Sequence, residues 1–292
     1  INPLTTSSKN LGEILSTYKK VETKANFLQI ENVWDIFKLN DQALREDMAL
    51  IKDSKTFVTP SATNQILGDE VYIEEGAKVE CAILNSTTGP IYIAKDAEVM
   101  EGAILRGPIA LCENGVIKMG AKIYGATTIG PYSKVGGELN NCVIQAYSNK
   151  GHDGFLGNAV LGEWCNLGAD TNNSNLKNNY QPVEVYNYTE EKYVDTELQF
   201  CGLIMGDHSK SAINTMFNTG TVVGVSANIY GADFPSKFIP SYSWGGRKPL
   251  EYKFEKAMDT AKRVMERRNI ALTEDDLEIL QTVWDNSKKF RK

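Results

Sequence analysis

Cysteine and histidine are scarce in this sequence. Its 292 residues include five cysteines and two histidines. The cysteines are odd in number and widely spaced, with no CxxC pair. This is typical of buried thiols in a reducing compartment, argues against a disulfide framework and predicts a cytoplasmic location. Two histidines are too few to favour a metal centre. No apolar run approaches the ~18 residues of a transmembrane helix, so no membrane partner is expected.

An excess of positive charge is also lacking. The chain has 31 Lys and Arg against 37 Asp and Glu, a formal net charge of -6. Nucleic-acid binding generally needs a basic face, so it is not expected. The composition, 42% hydrophobic and 23% charged, is typical of a soluble globular protein of about one or two domains. Because the chain starts at Ile1, we expect it to be processed or truncated.

A six-residue repeat is the main pattern in the chain. Every sixth residue of the following series is apolar: Ile93, Val99, Leu105, Leu111, Ile117, Ile123, Ile129 and Val135. Helices and flat strands do not have this period. A left-handed parallel β-helix has it, because each short face points one aliphatic side chain into a triangular prism. The predicted fold class is therefore all-β, and a β-sandwich with accidental spacing is the alternative.

The repeat slips and resumes along the chain. Further side chains expected to point inward are Ile73, Val79, Val143, Phe155, Leu161, Leu167, Met205, Phe217, Val223 and Ile229, with Ser211 as a weak member. Asn149 interrupts the series, which predicts a deformed coil near it.

Segments without the repeat suggest the domain organisation. We expect a mixed segment over 1–60, the β-helix over 61–245 with a hairpin-like loop insertion at 176–203, and a helical segment over 246–292. In the first segment, Asn40 or Asp41 is expected to cap a helix. In the last, Thr273 reads as a helix start.

One segment contains residues suited to proton transfer. Between Tyr147 and Gly157, His152 lies among glycines beside Lys150 and Asp153. A histidine can accept a proton from an amine near neutral pH, although a lone histidine is commonly structural. We predict a structural role for the second histidine, His208, at a corner of a coil.

A longer motif surrounds this histidine. The hexads, His152 and the stretch Leu161-Gly162-Glu163-Trp164-Cys165-Asn166-Leu167-Gly168-Ala169-Asp170-Thr171 are followed by Asn175. Together they resemble the acyltransferase half of bifunctional sugar-1-phosphate nucleotidyltransferase/amino-sugar-1-phosphate N-acetyltransferases. The resemblance covers roughly residues 60–235 and is most specific over 152–175, which matches without a gap.

The resemblance implies roles for individual residues. His152 matches the general base that deprotonates the sugar amine. Asn166 and Asn175 match residues that hold the sugar and acetyl groups, although either could be a turn or ladder asparagine. Lys134 falls where the family has a basic residue for the substrate phosphate, although it could be a solvated surface charge. Lys150, beside the histidine, is also expected to bind substrate.

Acetyl-CoA is the cosubstrate that the resemblance implies. Ala169 matches a position whose backbone touches it, and Lys210 is a candidate for its phosphates. Two positions depart from the family: Phe155 stands where tyrosine is frequent, and Asp170 replaces the second glycine of Gly-Ala-Gly-Thr. The acceptor, an amino-sugar phosphate or sugar nucleotide, is therefore left open. A homotrimer with sites between subunits is also implied.

The sequence lacks the motif that is typical of the nucleotidyltransferase half. Residues 1–60 contain no glycine-rich phosphate loop, whereas residues 30–36 resemble the linker end of that domain. We therefore expect a C-terminal part of a longer protein, with Mg²⁺ needed only where the upstream domain is present. Alternatives are a bifunctional whole protein, a non-catalytic trimerisation or sugar-nucleotide-binding scaffold, and a zinc carbonic anhydrase, which needs three histidines per metal.

Overall fold

The computed structural model describes residues 11–22, 24 and 27–291. Its strands are short. In chain order they begin with β1 (Gln65–Leu67), β2 (Val71–Ile73), β3 (Lys78–Val79), β4 (Ile83–Asn85), β5 (Ile91–Ile93), β6 (Glu98–Val99), β7 (Ile104–Arg106), β8 (Ile109–Leu111), β9 (Val116–Ile117), β10 (Lys122–Tyr124), β11 (Thr127–Ile129), β12 (Lys134–Val135), β13 (Glu138–Ile144) and β14 (Asn149–Lys150). They continue with β15 (Phe155–Leu161), β16 (Asn166–Leu167), β17 (Asn172–Asn173), β18 (Glu184–Asn187), β19 (Lys192–Asp195), β20 (Ile204–Met205), β21 (Lys210–Ser211), β22 (Met216–Phe217), β23 (Val222–Val223), β24 (Asn228–Ile229), β25 (Phe238–Ile239), β26 (Ser243–Trp244) and β27 (Leu250–Glu251).

Most of these strands stack in parallel as the walls of a prism. One wall contains β1, β4, β7 and β10, a second contains β2, β5, β8 and β11, and a third contains β3, β6, β9, β12, β14, β16, β21, β24 and β26. The longer β13 and β15 each cover two walls. They turn the corner at Asn141 and Asn158, whose φ angles are 55° and 47°, a region that asparagine tolerates well. The predicted β-helix class is confirmed.

The core lies along the prism axis. All eight members of the six-residue series are at most 2% exposed. Ile73 and Val79 upstream are buried too. The four later apolar members, from Met205 to Ile229, are likewise buried, and Ser211 points inward among them.

The predicted phase after Val135 is wrong by one residue in places. Ile144 and Leu156 are buried instead of Val143 and Phe155. Val143 faces outward and packs against an apolar cluster that includes Trp34. The inward position beside Val135 belongs to Lys150 rather than Asn149.

The described residues include five α-helices: α1 (Leu11–Ser16), α2 (Asp35–Lys38), α3 (Asn40–Ile51), α4 (Phe254–Glu266) and α5 (Glu274–Ser287), the last followed by a 3-10 turn (Lys288–Phe290). Leu39, not Asn40, occupies the cap of α3. Asn40 instead donates a 2.8 Å hydrogen bond to the Ala126 carbonyl of the prism. None of the helices among the described residues is long and apolar enough to cross a bilayer.

The C-terminal helices pack on the later coils. The inner face of α4 buries Ala257, Met258, Ala261 and Met265. A reciprocal capping box between Thr273 and Asp276 starts α5. Between the coils, β18 and β19 form an antiparallel hairpin. This packing brings the end of α4 over the wall that contains β12, β14 and β16.

Candidate active site

A groove of about 660 Å³ lies between the third wall of the prism and the end of α4. It is lined by Lys118, Lys134, Tyr147, Asn149, Gly151, His152, Trp164, Asn166, Leu167, Gly168, Ala169, Ile213, Val264, Arg267 and Arg268. Four residues singled out in the sequence therefore lie together here: His152, Lys134, Asn166 and Ala169.

His152 enters the groove at the point where the chain leaves the regular coil. It follows β14 and its side chain is exposed. The turn ends at Gly154, whose φ is 111°. A Cβ at this position would lie 2.3 Å from the carbonyl oxygen of Thr171. Glycine is therefore required here, and it lets the turn present the imidazole to the groove.

Strand register aligns the polar residues of the groove floor. Lys134 pairs with Asn149, and Asn149 pairs with Asn166 on the next coil. Because neighbouring strands lie ~4.8 Å apart, the Cα atoms of Lys134 and Asn166 are about 10 Å apart on the same wall. An ammonium and an amide thus point the same way along the groove.

Four cations crowd the groove: Lys118, Lys134, Arg267 and Arg268. Partial burial lowers the pKa of Lys134, and the positive charges of Arg268 and Lys118 lower it further. None of the described residues that line the groove is acidic. A bound anion would relieve this repulsion, so the groove suits a phosphate. Sequence reasoning missed both arginines, because only the packing of α4 brings them to the wall.

Ala169 lines the groove beside a left-handed corner. The next residue, Asp170, has a φ of 54°. This is the position where the resembled family has glycine, and aspartate is among the residues that adopt this conformation most readily. The departure from the family pattern therefore keeps the same backbone turn.

The expectation that Lys150 binds substrate is wrong. Its side chain is 1% exposed and points into the prism. Its ammonium donates to the carbonyl oxygens of Gly136, His152 and Asp153. All three N–H groups are thus engaged by the backbone, and none faces the groove.

The expectation for Lys210 is also not supported. Lys210 pairs with Asn166 in register, but its ammonium donates 2.8 Å to the His208 carbonyl. It borders a separate cavity of about 10 Å³ rather than the groove. Burial lowers the pKa of Lys210. The ammonium of Lys210 therefore does not line the groove in which a phosphate would bind.

His208 occupies a half-buried corner. Its φ is 59°, and burial lowers the pKa of its imidazole to about 4, with a smaller effect from Lys210. Its Nδ1 has no hydrogen-bond partner among the described residues. This environment agrees with the predicted structural role.

Asn175 lies outside the groove. Its side-chain amide donates a 2.8 Å hydrogen bond to the side-chain oxygen of Asn158. Within one chain the structure therefore does not bring it to His152.

Stacked aromatic rings form one side of the groove. Tyr147 stacks on Tyr132 at 5.0 Å and on Trp164 at 4.2 Å between ring centroids. All three are corner residues with φ near 58°. Sequence reasoning missed this stack, although each of these aromatic residues comes directly before a serine or cysteine, at positions 133, 148 and 165. The prism is thus a parallel β-helix of six-residue repeats, and the groove is its candidate active site.

Known proteins resemble different parts of the chain. A family profile described as sugar nucleotidyl transferase matches residues 3–56. The bifunctional protein GlmU of Methanocaldococcus jannaschii is 30% identical over 206 residues, which cover 70% of this chain and 44% of that protein. An uncharacterized acetyltransferase, YaiX, of Escherichia coli is 25% identical over 170 residues, covering 58% and 73%.

The chain also matches a solved structure at low similarity. The hexapeptide transferase family protein from Anaplasma phagocytophilum is 15% identical, covers 75% of this chain and 96% of its own, and superposes with a TM-score of 0.34.

The homologues of the chain are thus bifunctional nucleotidyltransferase/acetyltransferases and related acetyltransferases, which confirms the resemblance and the prediction of a transferase. The chain spans less than half the length of the bifunctional relatives. Among the described residues, no group of three His, Cys, Asp or Glu side chains could hold a metal ion.

Proposed function

We propose that this chain transfers the acetyl group of acetyl-CoA to the amine of an amino-sugar-1-phosphate, with His152 as the general base. The observation that carries the proposal is the meeting of an exposed histidine and four cations in one groove. The histidine supplies proton transfer, and the cations supply the binding of phosphate.

The proposed reaction needs one base and accurate positioning. The sugar amine attacks the thioester carbonyl carbon and forms the C–N bond, while the imidazole of His152 accepts the N–H proton. The C–S bond then breaks, and the CoA thiolate leaves and takes the proton from the imidazolium. No covalent enzyme intermediate is required.

Each groove residue has a proposed part. Lys134 binds the sugar phosphate, and the amide of Asn166 holds a sugar or acetyl oxygen. The backbone at Ala169 contacts acetyl-CoA. Arg267 and Arg268 bind phosphate groups on the side of α4. In the homotrimer that we propose, Asn175 is supplied to the groove of a neighbouring subunit.

Nucleotidyl transfer is proposed only for a longer protein. The match over residues 3–56 supports a link to that activity. The end of this region is bound to the prism, because the Asn40 and Arg45 side chains of α3 hydrogen-bond to its carbonyls. We therefore propose that this segment joins the β-helix to an upstream domain, which would use Mg²⁺, in a cytoplasmic enzyme.

The substrate class can be tested with three acceptors. Purified chain is mixed with acetyl-CoA and glucosamine 1-phosphate, galactosamine 1-phosphate or unphosphorylated glucosamine, and thiol release and N-acetylated product are measured. We expect turnover only with a phosphorylated amino sugar. Sugar-phosphate binding without turnover would instead favour the non-catalytic scaffold.

A further inference from the structure

A lysine occupies the hydrophobic axis of the prism directly behind His152. In the column of inward positions, Lys150 follows Ile117 and Val135. Both of these neighbours are fully buried aliphatic residues. A charge at such a position is costly unless hydrogen bonds compensate for the loss of water. Its presence therefore calls for an explanation other than core packing.

The ammonium of Lys150 is bound entirely by backbone carbonyls. It donates 3.1 Å to Gly136 on the preceding coil, 2.5 Å to His152 and 3.1 Å to Asp153. The first bond fixes it to the regular prism. The other two bind consecutive carbonyls of the turn that carries the imidazole. An aliphatic residue here would leave these three carbonyls without this donor.

We propose that Lys150 is a positioning residue, which holds the backbone of the His152 turn from inside the prism and thereby fixes the imidazole at the groove. This inference rests on the proposed function of His152. The ammonium holds the carbonyls of His152 and Asp153 on the side of the prism axis, at the point where the chain leaves the regular coil. The side chain of His152 then leaves in the opposite direction, toward the groove.

The three hydrogen bonds of Lys150 depend on its positive charge. Burial lowers its pKa to about 8, and the carboxylates of Asp153 and Asp170 and the buried Cys142 thiol act in the opposite direction. A neutral amine has two N–H donors and a lone pair, so it cannot serve three carbonyls. The turn should therefore loosen as the pH rises through about 8.

The test combines kinetics with a probe of the histidine itself. Lys150→Met removes all three donors, and Lys150→Gln keeps two. Ile117→Met, at an inward position two rungs away, is the matched control. Because a misplacement of about 1 Å can cost ~100-fold in rate, we expect Lys150→Met to lower kcat about 10- to 100-fold. KM should change less than about twofold. Lys150→Gln should lie between, and Ile117→Met should match the wild type.

The NMR signals of the two histidine rings give a readout that needs no activity. In wild-type protein, the ring signals of His152 should show a step near pH 8, at the pKa of Lys150, whereas those of His208 should not. Lys150→Met should lack this step. If the wild type proves inactive, the proposed function fails, and the NMR titration still decides the positioning role.

Two results would overturn the proposal: unchanged kcat in folded Lys150→Met, or His152 ring signals that change in the same way near pH 8 in the wild type and that variant. If Lys150→Met does not fold, the wild-type titration and Lys150→Gln decide. The absence of a step near pH 8 in the wild type, or wild-type kcat in Lys150→Gln, would then refute it.

Discussion

The guanidinium of Arg268 donates a 3.4 Å hydrogen bond to the side-chain oxygen of Asn149, 119 positions earlier in the chain. Asn149 lies in the wall between Lys134 and Asn166. Arg268 follows the last turn of α4. This contact ties the end of the helix to the groove floor, so the C-terminal segment is part of the candidate site.

Removing the positive charge of this segment should weaken the binding of anionic substrates. For Arg267→Ala/Arg268→Ala we expect KM for the phosphorylated substrate to rise about 10-fold or more, since hydrogen bonds to charged groups contribute about 1.5–3 kcal/mol each. Arg263→Ala, on an exposed face of α4 away from the groove, is the control. Equal KM values in both variants would contradict the assignment of the arginines to the site.

Acid should destabilise the protein through His208. Burial lowers its pKa to about 4 in the folded chain, against 6.5 for a free imidazole. Between these values the unfolded chain binds more protons, so the free energy of unfolding falls as the pH drops from 6.5 to 4. The free energy of unfolding should fall by about 3 kcal/mol in all. Urea unfolding at pH 7 and 4.5 should show a smaller loss for His208→Gln, and equal losses would refute the buried, neutral state.

Alkali should stabilise the protein through Lys150. Its folded pKa is about 8, below the 10.5 of a free lysine. Between these values the unfolded chain again binds more protons, so the free energy of unfolding rises with pH. Lys150→Met lacks this group. The difference in unfolding free energy between wild type and variant should therefore shift in favour of the wild type from pH 7.5 to 10, and a constant difference would speak against it.

The capping box at Thr273 should contribute to the stability of α5. Its hydroxyl accepts a hydrogen bond from the Asp276 amide, and the Asp276 carboxylate accepts one from the Thr273 amide. Thr273→Ala should lower the free energy of unfolding by about 1 kcal/mol. Thr282→Ala, in the middle of the same helix, should cost less. A Thr282 effect as large as that of Thr273 would argue against the cap.

The regular part of the fold was predictable from the sequence, because one inward aliphatic residue per face leaves a direct trace. From Ile93 to Val135, residue type and burial agree at each of the eight positions. The predicted phase of the repeat was wrong where the inward residue is not aliphatic. Lys150 takes an inward position through hydrogen bonds to backbone carbonyls, and residue types alone do not reveal such acceptors.

The candidate site was predictable only in part, for the same reason. His152, Lys134, Asn166 and Ala169 lie on neighbouring coils, so a motif along the chain brings them together. Arg267 and Arg268 reach the groove only through the packing of α4. Lys210 pairs with Asn166 on the same wall, but its ammonium donates to the His208 carbonyl instead of facing the groove. The strand register alone does not predict this contact.

The most direct test of the central claim is thiol release from acetyl-CoA with an amino-sugar phosphate, for wild type, His152→Ala and His208→Gln. His208 is the matched control, because it is the other histidine and lies outside the groove. The account predicts that His152→Ala loses at least ~100-fold in kcat, in line with general-base catalysis, while His208→Gln keeps near wild-type turnover at pH 7. Thiol release that is unchanged in His152→Ala would contradict the account.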